Sequence, residues 1–189
     1  MKILGIVLSP RKEGNTEILV REALEGARQA GGETDLFLVA GKQIAPCDAC
    51  GGCLKDGRCV IADDMQELYD LMLSSQGIIF GTPVYFLNVS AQAKAVMDRT
   101  YGFLQTGKLK GKVAAAVIAA RRVGAGQVLS LLYPFFAVHR MIIAGGGIGY
   151  GREKGEVREG PGGSPEATAL QEARAVGKNV VRMIQRLVR

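Results

Sequence analysis

Five short aliphatic runs, Lys2–Leu8, Asp35–Ala40, Gly77–Phe80, Val113–Ala119 and Met141–Ala144, constrain this chain more than any other feature. None alternates apolar with polar residues, so each reads as a strand covered on both faces. Helical patterns lie between them. Ile18, Leu19, Ala23, Leu24 and Ala27 make one apolar stripe, and Met65, Leu68, Tyr69 and Met72 make another at i, i+3, i+4 and i+7. Asp63 and Gln66 have capping-box spacing ahead of the second stripe, with Asp63 in the N-cap role. Val176, Val180, Met183, Ile184 and Leu187 mark a final helix, and Pro134 predicts a kinked or broken helix within Gln127–Arg140. Strands alternating with helices predict an α/β fold built on a doubly wound, five-stranded, mainly parallel sheet.

At 189 residues the chain is expected to form one domain over 1–189. Two long loops interrupt the pattern, Gly41–Ala62 and Gly145–Gly163, and long loops in compact domains tend to be functional. The apolar start, Met1–Leu8, is too short for a secretory segment and no apolar run is long enough to span a bilayer, so the expected compartment is the cytoplasm. The net charge of +6 does not predict a nucleic-acid partner. Much of the excess lies on Arg174, Lys178, Arg182 and Arg186, a solvated stripe of the last helix with no interleaved aromatic residues.

After the first strand the chain reads Ser9-Pro10-Arg11-Lys12-Glu13-Gly14-Asn15-Thr16, and a helix begins near Asn15. A helix start offers unpaired N–H groups and the positive end of the dipole, which together suit a phosphate. Ser9, Asn15 and Thr16 add short donors, and Arg11 adds charge. No Walker loop and no Gly-x-Gly-x-x-Gly is present, and this stretch alone fits an ordinary strand-to-helix turn equally well. Two further loops decide between the readings. Gly81–Ser90, with Pro83, Val84, Tyr85 and Phe86, follows the third strand, and Ala120–Gln127 follows the fourth. In a doubly wound sheet these loops gather with the first at the carboxyl edge, at the switch in strand order, where ligands bind. The set suits a mononucleotide with a flat ring.

All four cysteines, Cys47, Cys50, Cys53 and Cys59, fall in one window with spacing x2, x2 and x5. Cys-x2-Cys-x2-Cys wraps one face of an iron–sulfur cube, and Cys59 supplies a fourth thiolate. Structural zinc prefers two separated Cys pairs, which this spacing matches poorly. Disulfides disagree with a cytosolic setting, and a Cys-x5-Arg phosphatase loop fails because Cys53 and Arg58 are one residue too close. Gly51, Gly52 and Gly57 supply the turning freedom that several inward sulfurs need. His139, the sole histidine, has no nucleophile beside it in sequence and reads as structural.

With these loops in hand, the chain resembles the iron–sulfur flavoproteins, a branch of the NADPH-dependent FMN reductase group on the flavodoxin-like fold. The resemblance is carried by Ser9-Pro10-Arg11-Lys12, Gly14-Asn15-Thr16, the cysteine block, Cys59-Val60-Ile61 with Asp63-Asp64-Met65, and Gly81-Thr82-Pro83-Val84-Tyr85-Phe86. It implies FMN, with its phosphate on Ser9, Arg11, Asn15 and Thr16 and its ring against Pro83, Val84, Tyr85 and Phe86, Asn88 close by. It implies a 4Fe-4S cluster on Cys47, Cys50, Cys53 and Cys59, carried by a loop insertion over about residues 41–62. It also implies a homodimer or homotetramer in which the cluster approaches a neighbouring subunit's flavin. The loop holding Ala119, Ala120, Arg121 and Arg122 departs from relatives richer in glycine, so none of its residues is an expected ring contact, although Arg121 or Arg122 could stabilise an anionic reduced flavin.

The expected function is electron transfer from a reduced, ferredoxin-like donor through the cluster to FMN and on to a small-molecule acceptor. This scheme requires no general acid or base. A NAD(P)H-dependent flavin or quinone reductase without a functional cluster is the alternative, and a redox- or metal-sensing module a second.

Overall fold

The structure is a computed structural model that describes residues 1–158 and 168–188. Five parallel strands form one sheet: β1 (Lys2–Val7), β2 (Glu33–Leu38), β3 (Gly77–Pro83), β4 (Val113–Ala120) and β5 (Ile142–Tyr150), in the order β2-β1-β3-β4-β5. Helix α1 (Asn15–Gln29) follows β1, α2 (Met65–Ser74) precedes β3, and α3 (Ala91–Arg99) and α4 (Tyr101–Thr106) join β3 to β4. Helix α5 (Ala125–Val138) joins β4 to β5, and α6 (Thr168–Leu187) closes the chain.

The central aliphatic runs β1, β3 and β4 behave as strands wetted on neither face, whereas the edge strands β2 and β5 are partly exposed, against the expectation of cover on both faces. Every residue of β3 and β4 is buried. Alternate side chains serve opposite layers: Ala114, Ala116 and Ile118 face α2, α3 and α5, while Val113, Ala115 and Val117 face α1 and α6. Helices α1 and α6 lie so close that a Cβ on Gly26 would sit 2.0 Å from the carbonyl oxygen of Arg174, and one on Gly177 would sit 1.7 Å from that of Ala23. Glycine at these two crossing points is what permits the contact. Of the final helix's apolar stripe, Val176, Val180 and Ile184 are buried and Leu187 is exposed. Arg174, Arg182 and Arg186 are exposed, and Arg174 pairs with Glu22 of α1.

Three local expectations change. β5 is nine residues long and takes in Gly145–Tyr150, which the sequence reads as the start of a loop. A register shift between Ala114 and Ala116, with Gly145 at φ +113°, steps β5 along so that Gly146–Tyr150 still pair with β4. Only a residue without Cβ takes that angle cheaply. Residues 159–163 of the expected loop lie outside the described residues. Helix α5 runs unbroken through Pro134. The capping box at α2 does not form: Asp63 accepts the Met65 N–H at 3.0 Å, but Gln66 donates to the carbonyls of Cys59 and Ile61. Among the described residues no helix is long and apolar enough to cross a membrane.

Candidate functional site

The loops after β1, β3, β4 and β5 meet at the carboxyl edge of the sheet, where the order reverses beside β1. They enclose a cavity of about 250 Å³ lined by Ser9, Arg11, Gly14, Asn15, Thr16, Pro83, Val84, Tyr85 and the segment Ala119–Arg121. Gly151, Arg152 and Lys154 complete its wall. Seven of the nine residues expected to hold a mononucleotide are here together. Ser9 and Thr16 are buried, and Ser9 Oγ accepts the Arg11 N–H at 3.2 Å, which shapes the turn that leads into α1. Helix α1 starts at Asn15 with Gly14 as a side-chain-free cap. The Asn15 side chain is committed elsewhere: Nδ2 donates to the Glu153 carbonyl at 2.9 Å and Oδ1 accepts the Gly155 N–H at 2.8 Å. It ties the first loop to the segment after β5, and what Asn15 offers an anion is backbone.

A second, more open cavity of about 560 Å³ adjoins the first and shares Val84, Arg121 and Arg152 with it. Phe86, Leu87, Arg122 and Val123 form its remaining lining. Phe86, the eighth expected residue, is therefore at the mouth rather than in the inner cavity. Asn88, the ninth, lines neither; its side chain accepts the Val89 N–H at 2.8 Å and its backbone closes a tight turn with Tyr85. In that turn Phe86 and Leu87 take φ +48° and +61°. Left-handed backbone on such residues costs about 1–3 kcal/mol each and accumulates at ligand clamps. It leaves the Phe86 ring fully exposed.

The sequence places the third loop at this edge without assigning any of its residues to the ring, and it does not single out Gly151, Arg152 and Lys154. Their signal was a charged segment directly after an apolar run, legible once Gly145–Tyr150 is read as strand. The cavity wall is strongly basic: Arg11, Arg121, Arg152 and Lys154 all contribute. His139 takes no part. It is buried, with Nε2 3.0 Å from Thr100 Oγ1, and burial pushes its pKa down.

The cysteine loop packs elsewhere, against α2 and α4. It contains one 3₁₀ turn, Gly52–Leu54, and Gly57 turns at φ +71° under α4. A Cβ on Gly102 would lie 2.9 Å from Cys53 Cβ. All four thiols are free; Cys47 and Cys50 are exposed, Cys53 is half-buried and Cys59 is buried. Among the described residues no three His, Cys, Asp or Glu side chains converge as a ready-made metal cage. The donor set nevertheless fits a thiolate-bound cluster. Four soft ligands share one loop; burial, with the neighbouring Cys59, Cys47 and Cys50 charges, pushes the Cys53 thiol up, and among the described residues no cation offsets this. The loop is fastened on both sides. Arg58 donates to Asp70 at 2.7 Å and to Gln66, and Gln66 holds the carbonyls of Cys59 and Ile61.

Beneath the loop lies an ion pair. Arg99, the last residue of α3, has a fully buried side chain and meets Asp63 Oδ2 and Oδ1 at 2.8 and 3.0 Å. Burial alone would raise the Asp63 carboxyl, but the bonds from Arg99 and from the N–H groups of Ala45 and Met65 hold it below the usual carboxylate range. Burial also pushes the nearby Tyr69 hydroxyl above its ordinary value, and the Cys59 charge adds to this.

The family described as NADPH-dependent FMN reductase matches residues 1–153. An iron–sulfur flavoprotein of Methanocaldococcus jannaschii is 39% identical over 98% of this chain and 98% of its own length. One of Methanosarcina thermophila is 41% identical over 77% of this chain and 78% of its own. Among solved structures, a flavone reductase aligns with a TM-score of 0.79 at 18% identity, over all of this chain and 64% of its own. A NAD(P)H:quinone oxidoreductase from Methanothermobacter marburgensis aligns at 0.72 and 16% identity, over 95% and 98%. At these identities the structural likeness establishes the flavodoxin-like fold.

Proposed function

The chain belongs to the NADPH-dependent FMN reductase family, among its iron–sulfur flavoproteins, and is an FMN-dependent oxidoreductase; on that footing we propose that it is an electron-transfer flavoenzyme holding FMN at the sheet edge and a 4Fe-4S cluster on Cys47, Cys50, Cys53 and Cys59, taking electrons from a reduced donor and passing them to a small acceptor. The observation that carries this reading is the basic cavity at the switch point, with a four-thiol loop on the same chain. When bound, FMN exchanges electrons singly or in pairs and a cluster exchanges them singly, so together they convert one kind of transfer into the other.

The residues present suit these roles. The backbone N–H groups at the start of α1, the buried Ser9 and Thr16 hydroxyls and the Arg11 guanidinium would bind a phosphate dianion. Pro83, Val84 and Tyr85 on one side and Ala119–Arg121 on the other would flank a flat ring, with Phe86 and Arg122 at its outer edge. Arg121 and Arg152, which line both cavities, would offer positive charge to a reduced ring bound there. A homo-oligomer, as in the resemblance, would cover the exposed tip Phe86–Leu87.

Anaerobic purification followed by iron, acid-labile sulfide and extractable flavin assays tests the proposal. Iron and sulfide in near-equal amounts with one FMN per chain are expected. A colourless protein lacking both would end the reading. Stopped-flow reduction separates the donors: flavin bleaching by a reduced iron–sulfur protein but only slowly by NADPH supports this assignment, and the reverse supports a cluster-independent reductase.

A further inference from the structure

We infer that Arg99, paired with Asp63, is a positioning residue for the four-thiol loop, joining the loop's two ends on one guanidinium and fixing a positive charge against the Ile61 carbonyl, two residues after Cys59. The inference rests on the reading that this loop carries a cluster. Arg99 Nη1 donates to the Ala45 carbonyl at 2.9 Å and Nη2 to the Ile61 carbonyl at 3.3 Å, besides the two bonds to Asp63. Ala45 stands two residues before Cys47, and Ile61 two residues after Cys59. Asp63 answers by accepting the N–H groups of Ala45 at 2.9 Å and of Met65 at 3.0 Å. Loop entry, loop exit and the first residue of α2 therefore hang on one ion pair, whose Arg99 is fully buried and whose Asp63 is largely so.

A buried ion pair contributes little net stability, because desolvation offsets the attraction, so stability alone is a weak account of it. The surroundings supply a better one. Tyr69 Oη donates to the Arg99 carbonyl at 2.6 Å. Arg99 Nε is buried and has no hydrogen-bond partner among the described residues, a spare donor on the guanidinium that holds both ends of the loop. With a cluster bound, thiolates and inorganic sulfide would bring several negative charges to this loop, and one more on reduction. A fixed cation in a poorly solvated place favours the more negative state. Groups of this kind, one step behind the ligands, typically change metal affinity about 10–100-fold when removed.

The test uses the anaerobically purified, FMN-loaded protein and compares wild type with Arg99→Gln and Asp63→Asn. Circular dichroism and FMN content report folding. Iron release to a chelator and the cluster midpoint potential, followed by electron paramagnetic resonance, report the site. Arg99→Gln should release iron about tenfold faster or more and shift the potential negative. Asp63→Asn, which leaves the cation unbalanced, should shift it positive. Shifts of the same sign, or none, would overturn the inference, because a merely structural pair predicts no opposite movement. Where Arg99→Gln fails to fold, Asp63→Asn decides alone, and a potential at or below wild type rejects the inference. A wild-type protein without iron or sulfide rejects the underlying reading instead.

Discussion

Single residues here divide sharply between those that meet the ligand sites and those that only support them. His139 belongs to the second group, as its position before an apolar run implies, and its burial makes a pH prediction. A folded-state pKa below the unfolded one means that the unfolded chain binds the extra proton first. The stabilising effect of the neutral ring is complete above the unfolded value of about 6.5 and is lost as pH falls below it, at no more than about 1.4 kcal/mol per pH unit. Urea unfolding at pH 5.5 and 7.5 should show a smaller pH dependence for His139→Gln than for wild type. On the proposed reading Cys59 belongs to the first group. Cys59→Ser should abolish iron and sulfide binding while FMN content stays unchanged, because the cavity that would hold FMN draws no residue from the cysteine loop. Anaerobic metal and flavin assays check both halves. The thiols and the buried hydroxyls Ser9 and Thr16 were legible because their chemistry is local to a short motif. Asn15 was half legible: its place was readable, but its partners, Glu153 and Gly155, are about 140 residues away and no spacing rule connects them.

Elements were easier to foresee than residues, and the failures share one cause. The four central and first-edge strands and helices α1, α2 and α6 follow directly from apolar runs and stripes. β5 was read too short because Gly145–Gly149 carries no aliphatic signal; its strand conformation comes from pairing with β4 across a bulge. Helix α5 survives Pro134 because Val128, Leu132 and Phe136 bury a continuous face against the sheet. In both cases tertiary contact overrides local propensity. The same logic makes glycine substitutions unequal. At Gly177 a methyl group would overlap the Ala23 carbonyl, so Gly177→Ala should lower stability by about 1–3 kcal/mol through overpacking, more than its gain in helix propensity. At Gly126, where nothing lies within 4 Å, the same change should be neutral or stabilising by up to about 1 kcal/mol. Thermal melts of the two variants side by side would show opposite or unequal shifts.

At the scale of the molecule, four loops from different strands share one cavity, so a ligand filling it adds to the few bonds, such as those of Asn15, that already tie them together. FMN at 100 times its dissociation constant should raise unfolding stability by about 2.7 kcal/mol. Riboflavin, which lacks the phosphate, should give a much smaller increase at equal concentration, since the first loop would then be left without its anion. Differential scanning fluorimetry with both compounds distinguishes them, and equal effects would remove the phosphate site. The sequence could announce that these loops converge, because strand order in such sheets follows from a few rules. It could not announce the pairing of Arg99 with Asp63, which lie 36 positions apart on different elements. That pairing has an evolutionary consequence. Because one side chain grips the backbone on both flanks of residues 46–60, the segment resembles a cartridge whose ends already meet. Evolution can lengthen, shorten or discard such a cartridge while every strand stays where it is, and a chain trimmed of it should remain yellow.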